Sequence, residues 1–220
     1  MKKPIKNISL IFILIYSAIG VNAQDAKAKA ILDELSAKTK AYSSIKATFS
    51  YTLENKDQKI KETQEGSVTI KGNKYKLEIA KQEVICDGNA VYTIIKEAKE
   101  VQINNMPDPN NTESINPANI FTMYEKGFKN KFDGEKIEGG KTYQIISLFP
   151  SNPKGKQYHT VKLYIDKNAK QVNKILVFSK DGNNYTYQVK SFTPNAPVED
   201  KIFSYNAAQY PKFEVIDLRD

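Results

Sequence analysis

The chain is poor in the side chains that most often carry chemistry. Its 220 residues include no tryptophan, and they include one cysteine, one histidine and one arginine. Cys86 cannot form an internal disulfide and lies in the apolar segment EVICDG, so we expect it to be buried. A thiol nucleophile needs a neighbouring base, and His159 is the only histidine. Metal sites built from several His and Cys side chains are excluded.

Recognisable catalytic motifs are also missing. Neither the G-x-G-x-x-G and G-x-x-x-x-G-K phosphate loops nor the G-x-S-x-G nucleophile motif occurs in the sequence. Carboxylates such as Asp87, Glu97 and Glu100 stand at turns or alternate with lysine, which is typical of a solvated surface. The sequence therefore predicts a protein that is not an enzyme and that holds no cofactor or metal.

The charge of the chain is positive and comes almost entirely from lysine. The formal net charge is +8, and Arg219 is the only arginine. The lysines are spread along the chain, and the arginine forks that read bases and phosphates are absent. This pattern indicates a solvated exterior and excludes a nucleic-acid partner.

The N-terminus has the pattern of a secretory signal peptide. Three lysines within the first six residues precede an apolar run over residues 8–21, and the small residue Ala23 follows at the cut position. The run is short for a membrane span of about 20 residues. Gln24 follows the cut where a lipoprotein signal would place cysteine. We expect residues 1–23 to be removed after Ala23, leaving a single exported domain over residues 24–220.

The first element of that domain is predicted to be an amphipathic helix. Ala28, Ile31, Leu32 and Leu35 recur at helical spacing, whereas charged residues occupy the other positions. Such a helix must lie on an apolar surface, which the rest of the chain has to supply.

From residue 45 onward the apolar period changes from helical spacing to two. Short alternating segments are separated by Gly, Asn and Asp turns, which predicts one continuous antiparallel sheet of ten or more strands. A sheet of this length tends to roll up, so one face points inward. The large side chains predicted to point inward are Phe49, Tyr51, Tyr75, Leu77, Ile79, Tyr92 and Ile94.

A Pro- and Asn-rich loop over residues 106–117 interrupts the strands. Pro117 is predicted to start a short helix that ends near Gly127, with Ile120, Phe121 and Tyr124 on one face. The two helices either fill the inside of the sheet or cover a cavity there, and both arrangements fit the sequence.

The order of these elements resembles one known family. A helix leads into AYSSIKATFSYTL, QEGSVTIKGNKYKLEI and EVICDGNAVYTIIKEAKEVQI, followed by NPANIFTMYEKGF and a terminal YPKFEVIDLR. This order is similar to that of the periplasmic outer-membrane lipoprotein carriers (LolA-like), in the type found in Bacteroidetes. The resemblance implies a half-open, strongly curved antiparallel barrel of about eleven strands. The N-terminal helix and a short lid helix would cover an apolar cavity.

The resemblance also implies a function and a set of partners. The cavity would take the acyl chains of lipoproteins, received from an inner-membrane lipoprotein-releasing transporter and given to an outer-membrane acceptor. Tyr75, Leu77 and Ile79 match the strand whose side chains face the cavity, Tyr92 falls where the family often has tryptophan, and Phe121 matches the lid helix. Phe121 is expected to pack inside the empty barrel and to be displaced by cargo. We expect a monomer.

One position departs from the family pattern. Well-characterised carriers have an arginine near the start of the strand that holds Tyr75, whereas this chain reads Lys71-Gly72-Asn73-Lys74. Lysine cannot copy the bidentate arginine fork, so any latch on the lid must work differently. Three alternatives stay open: a lipid or lipoprotein sensor, a carrier of another envelope lipid, and a structural protein with a filled barrel.

Overall fold

A helix and twelve strands make up the fold. The computed structural model describes residues 19–106 and 123–219. The elements are α1 (Ile19–Lys40), β1 (Ile45–Asn55), β2 (Ile60–Lys71), β3 (Lys74–Ile79), β4 (Gln82–Cys86), β5 (Ala90–Ile95), β6 (Glu100–Asn105), β7 (Phe128–Glu138), β8 (Lys141–Pro150), β9 (Tyr158–Asp166), β10 (Gln171–Ser179), β11 (Asn184–Pro194) and β12 (Glu214–Asp217). Short 3-10 helices cover Met123–Glu125, Asp200–Phe203 and Ala207–Gln209.

All twelve strands belong to one sheet, in the order β12-β6-β5-β4-β3-β2-β1-β11-β10-β9-β8-β7. The curved sheet does not close, because its outer strands β12 and β7 do not pair with each other. The predicted half-open antiparallel fold with an N-terminal helix is therefore confirmed. Twelve strands are present instead of about eleven, and β12 pairs with β6 in parallel.

The register aligns the apolar residues of neighbouring strands on one face. Leu77 of β3 pairs with Val68 of β2, which in turn pairs with Ala47 of β1. Because directly paired residues point to the same side, such rows form a continuous apolar surface. This surface is the concave face, and it holds the larger of two apolar clusters.

Helix α1 covers part of the concave face. The predicted apolar stripe is confirmed, since Ala28, Ile31, Leu32 and Leu35 are all buried against sheet residues. The helix lies along β7, where the Lys27 ammonium stands 3.9 Å from the centre of the Phe132 ring. Among the described residues, no helix is long and apolar enough to cross a membrane.

A second apolar cluster lies on the convex face. Ile85, Ile94 and Val101 are buried there beneath the C-terminal segment, residues 195–219. Four aromatic side chains of β5 and this segment contact one another in a row, two contacts stacked and one edge-on, with ring centres 4.9–5.8 Å apart. These are Tyr92, Tyr205, Tyr210 and Phe213. Strands β4 and β5 therefore carry apolar side chains on both faces.

The convex cluster should contribute strongly to stability. Ile94→Ala removes a fully buried side chain, so we expect the free energy of unfolding to fall by about 2–5 kcal/mol. Val215→Ala on β12 is the control, because Val215 is 51% exposed and its truncation should change stability by about 0.5 kcal/mol or less. Urea unfolding followed by circular dichroism measures both. Equal losses would contradict a buried convex layer.

Candidate functional site

An apolar cavity remains on the part of the concave face that α1 does not line. Its volume is about 550 Å³, within the range of small-molecule sites. None of the described residues that line it belongs to α1. The lining residues are Ala47, Phe49, Tyr51, Gln64, Val68, Leu77, Ile79, Ala80, Lys81, Gln82, Ile95, Glu97, Ile175, Tyr187 and Val189. The helix thus fills one part of the concave face, and a cavity occupies another.

Close packing between β1 and β2 shapes one wall of this cavity. The Phe49 ring lies directly over Gly66, its partner across the two strands. A Cβ atom at position 66 would stand 2.7 Å from Phe49 Cζ and 2.9 Å from the Glu78 carbonyl oxygen. The ring could move away, but the backbone oxygen could not. Glycine is therefore needed here because it lets an aromatic ring lie flat on the strand.

Three tyrosines and Phe49 form an aromatic wall. The Tyr51 ring centre lies 5.8 Å from that of Tyr185 and 5.1 Å from that of Tyr187, and the Phe49 and Tyr187 centres are 6.3 Å apart. Burial raises the pKa of Tyr187 above its ordinary value, and the neighbouring tyrosines raise it further. Tyr187 therefore stays uncharged at physiological pH, and the wall offers a large apolar surface.

The rim of the cavity is polar, in contrast to its interior. Gln64 of β2, Gln82 of β4 and the turn residues Lys81 and Glu97 are the polar members of the lining. Lys81 donates a hydrogen bond to Glu97, and both side chains are exposed. An apolar pocket with polar groups at its mouth suits a ligand that has a long apolar part and one polar end.

Four of the residues predicted to point inward line this cavity: Phe49, Tyr51, Leu77 and Ile79. Tyr75 lies on the same face but is buried within the core and does not line the cavity. Tyr75 pairs with Ile70 of β2, next to the row of Leu77 and Val68. The apolar alternation in β3 thus indicated the correct face but not the depth of each side chain.

Tyr92 and Ile94, also predicted to point inward, lie on the convex face and do not line the cavity. They pair with Ile85 and Glu83 of β4, whose side chains point away from the concave face. Ile95, the next residue of β5, lines the cavity instead. Because β5 is apolar on both faces, its alternation could not reveal which face points inward.

The predicted lid helix falls largely outside the described residues. Ile120 and Phe121 lie outside the described residues, whereas Tyr124 lies in the 3-10 helix Met123–Glu125. Tyr124 is buried in the part of the core that α1 covers, and Lys40 of α1 pairs with Glu125 at 2.6 Å. Tyr124 therefore fixes this turn to α1 and does not line the cavity.

Several lining residues were not predicted from the sequence, notably Ile175, Tyr187 and Val189. They lie on β10 and β11, and β11 pairs with β1 although more than a hundred residues separate them along the chain. The alternation Tyr185, Tyr187, Val189 was a usable signal. It could be assigned to the cavity only once the β1–β11 pairing was known.

Lys71 and Lys74, which stand where the resemblance implied an arginine, hold the C-terminal segment. Lys71 Nζ lies 2.6 Å and Lys74 Nζ 3.0 Å from the two carboxylate oxygens of Asp200. Lys71 also donates to the Val198 carbonyl oxygen at 3.2 Å. Two lysines on one carboxylate thus connect the β2–β3 turn to the segment that covers the convex face. Cys86 is buried beside this turn, as predicted, with its sulfur 3.6 Å from the Asn73 carbonyl oxygen.

The pKa of Asp200 should report on this contact. Hydrogen bonds and charge from Lys71 and Lys74 lower the pKa of Asp200 to about 2. Because the pKa is lower in the folded state, the contact is complete above the ordinary Asp pKa and is lost as the pH falls towards 2. We expect carboxyl NMR titration to show this, and the Lys71→Met/Lys74→Met double variant to raise the pKa towards its ordinary value. An unchanged pKa in that variant would contradict the contact.

Comparisons with known proteins agree with this architecture. The sequence profile of the family described as outer membrane lipoprotein carrier protein LolA matches residues 40–206. No curated protein sequence matches the chain significantly. Among solved structures, an uncharacterised conserved protein from Thermus thermophilus is similar in fold, with 12% identity and a TM-score of 0.56. The match covers 87% of this chain and 99% of that one.

Two further solved structures have lower TM-scores. A LolA superfamily protein from Nitrosomonas europaea shares 12% identity over 81% of this chain and 97% of its own, with a TM-score of 0.43. A chain of the Pseudomonas aeruginosa MucA/MucB complex shares 14% identity over 82% of this chain and 62% of its own, with a TM-score of 0.44.

Proposed function

The chain belongs to the family of outer membrane lipoprotein carrier protein LolA, and on this premise we propose that it carries lipoproteins through the periplasm by holding their acyl chains in the cavity. The observation that supports this most directly is the cavity of about 550 Å³, which is apolar inside and polar at its rim. The donor would be an inner-membrane lipoprotein-releasing transporter, and the acceptor would lie at the outer membrane.

Such a carrier must bind acyl chains with enough affinity to remove them from a membrane, and weakly enough to release them at the acceptor. Burial of each methylene stabilises a chain by about 0.8 kcal/mol, so an acyl chain of ordinary length resists leaving a membrane by roughly 10 kcal/mol. The carrier must offer comparable apolar surface and still release the cargo. Phe49, Tyr51 and Tyr187 supply such surface, and each is only partly buried in the structure.

The partly buried aromatic wall would also limit affinity. Because the rings of Phe49, Tyr51 and Tyr187 already contact one another, part of their surface is removed from water before any ligand binds. An acyl chain that separates them must replace those contacts, so its net gain is smaller than the area it covers. Leu77 and Ile79 of β3, which also line the cavity, would complete the acyl-binding surface.

Export is part of this proposal. Removal of residues 1–23 would leave the buried stripe of α1, from Ala28 to Leu35, intact. The mature chain could therefore still pack α1 on the concave face, and its chain would start at Gln24 with no lipid attachment site there.

The first test is native mass spectrometry of the protein purified without detergent from the periplasm of its own cells. We expect a monomer that starts at Gln24 and carries additional mass, which fragments to an acylated cysteine peptide. A bound lipid without peptide would assign the cargo to another envelope lipid. A bare protein that also takes up no fluorescent acyl probe would contradict the proposal.

A tryptophan that fills the cavity should abolish acyl binding selectively. Val189 lines the cavity, whereas Thr186 on the same strand points to the other face. We expect Val189→Trp to weaken binding of a fluorescent fatty acyl probe by about tenfold or more, because the added ring occupies the apolar volume. Thr186→Trp adds the same side chain outside the cavity and should bind as the parent does. Equal affinities for the two variants would place acyl binding elsewhere.

A further inference from the structure

Strand β2 is longer than the strand that follows it. It pairs with β1 from Ile60 to Ile70, but with β3 only from Gly66 to Lys71. Residues 60–65 therefore have β1 as their only strand neighbour among the described residues. Their other side is a short free strand edge within the sheet; residues 189–194 of β11, which pair with β1 but not with β10, form another.

This free edge borders the mouth of the cavity. Gln64 lies within this edge, and its side chain lines the cavity. Ala80 and Lys81, in the turn that follows β3, line the cavity as well. The last pair of β2 with β3 is Gly66 with Ile79, directly beside the Phe49 ring. A ligand that leaves the cavity between Gln64 and Lys81 would pass along this edge.

The edge can pair with another extended chain. Every second residue of an unpaired strand edge directs its N–H and C=O groups outward. The exposed side chains along residues 60–65 include Lys61, Glu62 and Glu65. Such charges oppose pairing between two copies of the same edge, but they leave the backbone groups accessible to a different peptide.

We propose that residues 60–65 bind the polypeptide part of the cargo by adding it to the sheet as a strand. This rests on the proposed carrier function. The acyl chains of a lipoprotein are attached to its first residue, so when they occupy the cavity the polypeptide must emerge at the rim. The free edge begins there and is about 20 Å long, which accommodates about six extended residues.

Strand addition also suits a carrier of many different proteins. Affinity would come from main-chain hydrogen bonds, which do not depend on the cargo's side chains. The cavity would recognise the acyl group, and the β2 edge would hold whichever sequence follows it. The apolar and the peptide contacts would then be adjacent but separable.

The test compares two acylated ligands on the full mature chain by residue-resolved amide hydrogen exchange. One is a diacylated cysteine followed by ten residues, and the other is the same diacylated cysteine as its methyl ester. We expect every second amide within residues 60–65 to gain protection with the lipopeptide alone, and the lipopeptide to bind about tenfold more tightly. The amides of β12, the strand at one margin of the sheet, should not change.

Two ligand controls isolate the backbone contribution. A lipopeptide of scrambled sequence should keep the tenfold gain, because its main chain is the same. Two further lipopeptides are N-methylated at alternate residues, one at the odd and one at the even positions. At least one of them should lose the gain, because it lacks the N–H groups that would face β2.

The outcomes separate this inference from the carrier function. If both acylated ligands bind equally and residues 60–65 stay unprotected, the peptide site is wrong and the carrier function stands. Protection of β12 together with residues 60–65 would also overturn it, because any exposed edge would then suffice. If neither acylated ligand binds, the carrier function itself fails, and the inference fails with it.

Discussion

The apolar area of the concave face is larger than the area that α1, the one described helix packed on it, can cover. The rest of the structure depends on this difference. Residues paired across neighbouring strands share a face, so each strand adds apolar surface to the same side. Helix α1 covers the part near β7 with Leu32 and Leu35. Beyond it, Phe49, Tyr51 and Tyr187 remain only partly buried around a cavity of about 550 Å³. The cavity thus follows from the geometry of the sheet.

The convex face solves a second burial problem. Ile85, Ile94 and Val101 would be exposed on the outside of the sheet, but the C-terminal segment covers them with stacked aromatic rings. The contact of Lys71 and Lys74 with Asp200 fixes the start of that cover. Strands β4 and β5 therefore carry apolar side chains on both faces, so this part of the cavity wall is packed without any ligand.

The mouth of the cavity lies where β3 ends and the longer β1–β2 hairpin continues. Gln64, Lys81 and Glu97 surround it with polar side chains, while Gly66 lets Phe49 lie against the strand directly inside. The difference in length between β2 and β3 therefore produces two features together: an opening for an apolar chain and an unpaired strand edge beside it.

Local sequence patterns determined the elements of this protein, and tertiary pairing decided which side chains meet. The stripe of α1 and the alternation of Tyr75, Leu77 and Ile79 identified a helix and a strand with apolar faces, because these periods are properties of the local backbone. Which side chains line the cavity depends on how the strands pair, and the apolar alternation within one strand does not reveal that pairing. The β1–β11 contact brought Tyr187 into the cavity, and the C-terminal segment turned Ile94 into a convex core residue. When a strand is apolar on both faces, its sequence does not show which face points inward. That is decided by the segments that pack on each face.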